Sequence, residues 1–473
     1  MTRLNPDDIH RTALLAMHDG SQPTLEAALT AHAATGVIIC ADTATCHDVH
    51  GQAALLTATV TAERAFGNVV VIAEAPDALI TAGLAAGQTL ASVMHQRGAQ
   101  IARTACKEWV ARPWPVLLIG HDTPALPQVT GPGAAARPVL RVSWSGWIAS
   151  IRASVSPAND HTGPRCVLAA IAAAAIAVSE AFGSLRAAPG SDAGYRDVHL
   201  NLWNPAGDAA DPGPTLAHAP ASWWLVGLGH LGQAFTWVIS WLTYLTPQDI
   251  ELVLQDTDHT TPANHSTSVL TPRGSNGIRK TRLIAAALDR TGLGARIIER
   301  RLGPDLRITD SECHVALLGV DNIRTRRLTS DAGWRLAIDV GLGHGPQNFA
   351  SLHIRRFPGT QRSDQIIAWT SNPLEPVTIP RTPAFTDLQE RHDQCGVVEL
   401  AGKAVGASFV GITAACLAIA EATRELHGGT GHDVLALDLL TMDSASAPAA
   451  EPADVISFPL STSGPTTHAL PAP

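Results

Sequence analysis

Four short runs in the first 190 residues are apolar nearly throughout: "GVIIC" (36–40), "NVVVIAEA" (68–75), "PVLLIGHD" (115–122) and "PVLRVSW" (138–144). Runs of this length, bounded by Gly, Pro and Asn, predict buried strands. Helical segments lie between and after them, so residues 1–190 read as an N-terminal α/β lobe. Residues 191–221 are dense in Pro, Gly and Asp and read as a linker. From Ser222 the alternation resumes. "SWWLVGLG" predicts a strand, Leu231 to Leu245 a helix covered on most sides, and 278–292 another helix. "IELVLQD" (250–256), "ARIIERRL" (295–302), "HVALLGVD" (314–321) and "WRLAIDVGLG" (334–343) predict further strands. Over 222–442 the pattern is that of a Rossmann-like doubly wound α/β sheet. Within it, "ASLHIRRF" alternates as a half-exposed strand, 358–394 reads as a long crossover loop, and "GASFVGITAACLAIAEATRELHGG" as a buried helix ended by glycine. Residues 443–473, rich in Ser, Ala and Pro, read as a disordered tail.

One segment echoes another. "RCVLAAIAAAAIAVSEAFGSL" (165–185) and "SFVGITAACLAIAEATREL" (408–426) share a small-residue face and a glutamate near the end, Glu180 against Glu421. The first lobe is thus a candidate degenerate copy of the second, although any Ala-rich packed helix looks similar. It has no glycine-rich turn, so even as a copy it is not expected to bind nucleotide.

Composition narrows the class. A chain of 473 residues fits two lobes, and 45% hydrophobic against 16% charged residues fits a soluble globular protein with a large core. The formal net charge of -9, with no run of five basic residues, argues against general nucleic-acid or anionic-membrane binding. The opening "MTRLNPDDIHR" carries charge where a secretory signal needs an apolar core, and "VLAAIAAAAIAV" (167–178) is too short to span a bilayer. Seven cysteines without CxxC pairs fit reduced thiols, and a cytoplasmic location is expected.

The chemistry begins at "GLGHLG". Gly227, Gly229 and Gly232 form GxGxxG between a strand and a helix, where backbone NH groups and the positive helix end can face a phosphate. Asp256 ends the second strand 24 residues after Gly232, where a carboxylate can meet ribose hydroxyls. Up to this point NAD, FAD and ATP are equally good ligands. Beyond it, Asp258 completes "DTD", Asn264 lies eight residues and Lys280 twenty-four residues past Asp256, and "DNIRTR" supplies Asp321, Asn322 and Arg326 after the fourth strand.

In these residues the chain resembles the ThiF/MoeB/HesA superfamily, relatives of the ubiquitin-activating enzymes. Members show a glycine turn, D-x-D followed by S-N-L-x-R-Q, a G-x-x-K opening the next helix and D-N-x-x-x-R after a strand; "GLGHLG", "DTD", "AN", "GIRK" and "DNIRTR" stand here in that order. The resemblance covers residues 222–427. It implies ATP phosphates on the glycine turn, Lys280 and Asn264, ribose on Asp256, and Mg²⁺ on Asp321. It implies adenylation of the C-terminal carboxylate of a small ubiquitin-like or sulfur-carrier protein or peptide. A homodimer, or an intramolecular imitation of one, is also implied.

Departures are clear. Where the family has arginine and glutamine after the asparagine, Thr267 and Ser268 stand here; a hydroxyl cannot replace a guanidinium fork, and Arg273 or Arg279 are candidates to compensate. His230 occupies a family glycine position and either narrows the nucleotide path or points away from it. The two CxxC pairs that hold zinc in many relatives have no counterpart. Cys395 is the candidate thiol for receiving an activated carboxyl, with His392 nearby, and equally a candidate structural cysteine; Cys313 and Cys416 read as core residues. Cys40, Cys46, His47 and His50 gather in a spacing that matches no zinc arrangement. Two other classes stay open: a nicotinamide-dependent oxidoreductase using Asp256 with Lys280 or His344, and a catalytically weakened nucleotide-binding scaffold.

Overall fold

A computed structural model describes residues 3–462 except 121, 124, 127–136, 155–163, 187–189, 208–209, 243, 245–246, 310–311, 314, 344, 371–376 and 451–459. His344 and the end of the tail lie outside the described residues.

Helices α1 (Ala13–His18) and α2 (Leu25–Ala34) precede the first sheet. That sheet contains β1 (Gly36–Ala41), β2 (Asn68–Ala73), β3 (Gln100–Ala102), β4 (Val116–Ile119), β5 (Val139–Ser145), β6 (Ile148–Arg152) and β7 (Val198–Asn201). After β1 come α3 (Thr43–His47) and α4 (Val49–Ala65); α5 (Leu90–Gln96) and α6 (Lys107–Val110) flank β3, and α7 (Val167–Arg186) joins β6 to β7. Strand order is β3-β2-β1-β4-β5-β6-β7, parallel as far as β5 and antiparallel beyond it. Apolar runs such as Val69–Val71 are buried on both faces, as parallel strands covered by helices must be.

The second sheet repeats the plan. After the short β8 (His218–Pro220) come β9 (Ser222–Val226), α8 (His230–Ser240), β10 (Glu251–Gln255), α9 (Asn264–Thr267), α10 (Lys280–Leu288), β11 (Gly294–Ile298), β12 (Val315–Leu318), α11 (Ile323–Arg326), β13 (Leu336–Leu342) and β14 (Ser351–Phe357). Then follow α12 (Ile367–Thr370), α13 (Pro383–Arg391), α14 (Gln394–Ala401), α15 (Ser408–Arg424), β15 (His432–Asp438), β16 (Ser444–Pro448) and β17 (Leu460–Thr462). The order β11-β10-β9-β12-β13-β14-β15-β16 is that of the first sheet with one strand added. Helices α7 and α15, the pair that echo each other in sequence, hold equivalent places before the seventh strand of each sheet.

Three expectations need correction. The segment read as a linker supplies β7, which completes the first sheet, and β8. Sheet hydrogen bonds override the poor strand propensity of its neighbours. The crossover read as a loop contains α12 and α13 and ends at the first residue of α14. Leu388, Phe385, Val397 and Leu400 pack against Leu4, Ile9, Leu14 and Met17 of the N-terminal segment, forming a core too discontinuous to show as a local pattern. The segment read as a tail pairs through β16 with β15 and through β17 with β8, because edge strands need backbone partners and no apolar run.

Between the sheets, α4, α7, α8 and α15 pack together, and one core of buried side chains runs through both lobes. Helix α7 is long and apolar enough to cross a membrane, yet 94% of its most apolar window is buried inside the protein. Polar contacts also cross the seam, from Trp237 Nε1 to Thr57 Oγ1 (2.9 Å) and from Ser408 Oγ to the Thr61 carbonyl (3.1 Å). Two buried glutamates form a reciprocal clamp. Glu180 holds Arg196 (2.7 Å), which donates to the Leu440 carbonyl beyond β15; Glu421 holds Arg424, which donates to the Leu202 carbonyl beyond β7 (2.8 Å). Each lobe thus ties down the chain leaving the other's seventh strand.

Where α8 meets α15 the fit is close. A Cβ on Gly411 would stand 2.0 Å from His230 Nε2. Gly411→Ala should therefore destabilise the protein by about 1–3 kcal/mol through overpacking. In a His230→Ala background the same change should cost little, as a double-mutant cycle read by denaturant unfolding will measure. Equal costs in both backgrounds would refute the contact.

Candidate functional site

The glycines of the turn have different tasks. Gly227 has φ +82°, and a Cβ there would meet Val320 at 2.7 Å; one on Gly232 would stand 2.1 Å from the Gly227 carbonyl oxygen. Both are required by internal packing. Gly229 is the open one, because its Cβ position faces the Lys280 ammonium at 3.9 Å. His230 turns toward α15, against Gly406 and Gly411, with Nε2 shut away from any partner; burial pushes its pKa down to about 4.

Asp256 locks the end of β10 to the turn. Its Oδ2 accepts from the Leu228 amide (2.5 Å) and its Oδ1 from the Asp258 amide (2.7 Å). Asp258 in turn pairs with Lys280 Nζ at 3.2 Å, and its carbonyl accepts from the Lys280 amide at the start of α10. Asn264 opens α9 and uses its side-chain oxygen on the Thr261 amide (2.8 Å). Asp321 follows β12 and is exposed.

Four of the predicted residues, Asp258, Asn264, Lys280 and Asp321, line a common cavity of about 580 Å³, while Asp256 and the turn glycines Gly227, Gly229 and Gly232 are not in its wall. Asp258, Asn264, Thr267, Lys280 and Asp321 share its wall with residues that no local pattern marked: Asp7, Arg11 and Lys403. Its wall includes the segments that follow β10 and β12, the strands on either side of β9, where strand order reverses. Asn322 and Arg326 are not in that wall. Asn322 caps α11, and Arg326 donates to the Val320 and Val340 carbonyls (2.8 and 3.1 Å) and pairs with Asp339 (3.4 Å). Arg326 therefore acts as a strut behind the Asp321 loop. Burial raises the Asp339 pKa to about 6 against the opposing pull of Arg326.

The compensating arginine is a correction. Arg279 pairs with Glu299 (3.5 Å) and donates to the Thr257 carbonyl, and neither it nor Arg273 lines the cavity. Arg11 does. It is 6% exposed, its Nη2 pairs with Asp7 at 2.9 Å, its amide donates to Ser266 Oγ, and its Nη1 is buried without a partner. Asp7 also lies 3.5 Å from Lys403 Nζ. One carboxylate, Asp7, thus faces two cations of the cavity wall, Arg11 and Lys403.

Cys395 is exposed as the second residue of α14, outside the cavity wall, and His392 caps α13. Asp393 caps α14 through the Gly396 amide (2.9 Å) and also accepts from the Leu4 amide (2.8 Å). Four and eight residues after Cys395 come Glu399, within α14, and Lys403, just past its end at Ala401; the two are joined at 2.9 Å. Cys313 and Cys416 are buried, and Cys40 and Cys46 are buried in β1 and α3. Among the described residues no group of three or more His, Cys, Asp or Glu could hold a metal.

The segment bearing Arg11 is sensitive to pH. His10 stacks on His32 at 4.2 Å, and burial pushes their pKa values to about 2 and about 4, from 6.5. Folding therefore requires neutral imidazoles. The stability they contribute is full above pH 6.5 and is lost as pH falls toward 4, because the unfolded chain binds the protons that the folded chain refuses. Thermal midpoints should fall over that window, and His32→Gln should flatten the slope.

Residues 36–202 match the family model described as BilD N-terminal domain, and residues 219–429 that described as BilD C-terminal domain. A "Bacterial E1-like protein BilD" of Collimonas sp. (strain OK412) is 36% identical over 447 residues, covering 93% of each chain. Among solved structures, E. coli MccB with MccA-N7isoASN aligns over 48% of this chain at 14% identity and TM-score 0.31. E. coli MccB with ATP aligns over 48% at 13% identity and TM-score 0.31. The chain spans 64% and 63% of those two MccB chains. With 36% identity across 93% of its length, and each lobe matched by the corresponding domain model, the chain belongs to the BilD family of bacterial E1-like proteins.

Proposed function

We propose that the cavity binds ATP and that the protein adenylates the C-terminal carboxylate of a small ubiquitin-like protein or peptide. The observation that carries this reading is the convergence of Lys280, Arg11 and Lys403, from three distant segments, on one cavity beside Asp321 and the glycine turn. Three cations around one open space suit a triphosphate. The free lone pairs of Asp256 suit ribose hydroxyls. The hard carboxylates of Asp258 and Asp321 suit Mg²⁺, which when bound neutralises phosphate charge. The E1-like naming of the BilD relative supports the same chemistry.

In the reaction, the substrate carboxylate oxygen attacks the α-phosphorus, the bond to the β-phosphate oxygen breaks and pyrophosphate leaves. Lys280 and Arg11 hold the polyphosphate and stabilise the negative charge that moves onto the leaving group. The preformed Lys280–Asp258 pair fixes the ammonium beside Gly229, so little side-chain freedom remains to be lost when phosphate arrives. In a second step the Cys395 thiolate attacks the acyl carbonyl, the bond to AMP breaks and a thioester remains. The exposed position of Cys395 on α14, whose end at Ala401 precedes the cavity-lining Lys403, supports this transfer.

The first lobe is read as the non-binding half of an intramolecular pseudo-dimer. In place of a glycine turn after β1 it has Asp42, which caps α3 through the Thr45 amide (2.7 Å). Thr45 Oγ1 stands 2.1 Å from where a Cβ on Gly120 would lie, and Arg141 donates to the Gly120 and Thr123 carbonyls. Its own side chains fill the space a phosphate would need.

Pyrophosphate exchange into ATP, with candidate carrier proteins supplied, tests the reading. Lys280→Ala and Asp321→Ala should each reduce exchange by roughly a hundredfold and Arg11→Ala by at least about tenfold. Cys395→Ser should leave exchange intact and abolish a reducible carrier adduct. Undiminished exchange in Asp321→Ala would overturn the assignment.

A further inference from the structure

Arg64 lies at the end of α4 in the first lobe, yet its guanidinium reaches into the second. Nε donates to the Ser268 carbonyl (3.0 Å) and Nη2 to the Thr271 carbonyl (3.3 Å), both on the loop that follows α9. Nη1 is held by the Val60 carbonyl (2.9 Å) and by Glu63 (2.7 Å), and the side chain is fully buried. Burying a guanidinium is costly unless its donors are used, so this placement commits the loop as well as the arginine. The Arg64 carbonyl also accepts from Thr12 Oγ1 (3.4 Å), the neighbour of Arg11, whose amide donates to Ser266 Oγ (3.1 Å). Arg97, at the end of α5, donates to the Val269 carbonyl (3.0 Å), and His265 lies 3.8 Å from Glu63. From the second lobe the loop is met by Gln233, which accepts from the Leu270 amide (2.9 Å) and donates to Thr271 Oγ1 (3.0 Å).

One residue therefore joins three pieces: its backbone carbonyl ties the N-terminal segment that delivers Arg11, and its side chain the loop after Asn264 and Thr267, both to the first lobe. We propose that Arg64 is a positioning residue for the nucleotide cavity, through which the first lobe sets both the 264–271 wall and Arg11. The proposal rests on the reading of that cavity as an ATP site. It gives the first lobe a task that does not depend on its binding anything itself. The planar fork matters as much as the charge, because the two loop carbonyls are met by different nitrogens of one rigid group.

The test uses the full chain with Arg64→Met, Arg64→Lys and, as a control of similar destabilisation, Ile38→Ala in the separate cluster on the other face of the first sheet. Two quantities are read: the Kd for ATP, and amide hydrogen exchange at Ser266, Ser268, Leu270 and Thr271 without nucleotide. In Arg64→Met the Kd should rise about tenfold and exchange at these amides should accelerate, as expected for loss of charge-assisted hydrogen bonds. Arg64→Lys should recover neither, and Ile38→Ala should change neither. Should Arg64→Met fail to fold, Arg97→Met, which loses one loop carbonyl, should move both readouts in the same direction by about threefold. Wild-type protection of the loop in the substituted protein, or acceleration shared by Ile38→Ala, would overturn the proposal. A wild-type protein that bound no ATP would instead remove the adenylation reading, while the exchange data would still judge Arg64.

Discussion

The seam between the two sheets is the constraint on which the rest depends. Four helices, α4, α7, α8 and α15, close it with small and apolar side chains, and the core on the two sides is continuous. Packing at interior density leaves little room to slide. The Glu180–Arg196 and Glu421–Arg424 clamps then fix where each lobe releases its chain toward the other. Because the seam is rigid, groups far apart in sequence can be held around one cavity with ångström precision. Arg11 can face Lys280 only because α1 and α2 pack on α13 and α14 while α4 packs on α7.

The cavity inherits its polarity from topology. Parallel strands place their C-terminal ends, and the loops beyond them, on one edge of the sheet; the reversal of order at β9 leaves a crevice there. The Rossmann-like half supplies Asp258, Asn264, Lys280, Asp321 and, beyond its crossover, Lys403, and the N-terminal segment supplies Asp7 and Arg11. The two domain models cover 36–202 and 219–429, so Lys403 lies within the second and Asp7 and Arg11 precede the first.

What could be read from residues alone follows a physical rule. Elements with a strong local period were legible: the buried strands of both sheets, α8, α10, α15, and the echo between α7 and α15 that the shared strand order explains. Lys280 and Asp321 were legible because each stands in a motif, "GIRK" and "DNIRTR", that the resemblance marks. Arg11 and Lys403 were not, for they reach the cavity by tertiary packing across hundreds of residues and carry no spacing signal. Arg326 and Asn322 show the opposite failure: their position beside Asp321 is as the motif requires, but their side chains brace backbone instead of lining the cavity. Helices α13 and α14 escaped notice because their apolar faces are short and complete a core only with Leu4, Ile9 and Leu14.

Filling the first lobe's crevice with Asp42, Thr45 and Arg141 has a kinetic corollary. A symmetric pair of such sheets would hold two centres able to influence each other, whereas the proposed reading gives this polypeptide one among its described residues. If the second-lobe cavity is the ATP site proposed above, a chain acting alone would saturate hyperbolically with nucleotide, and half-of-sites behaviour would point to pairing of two chains.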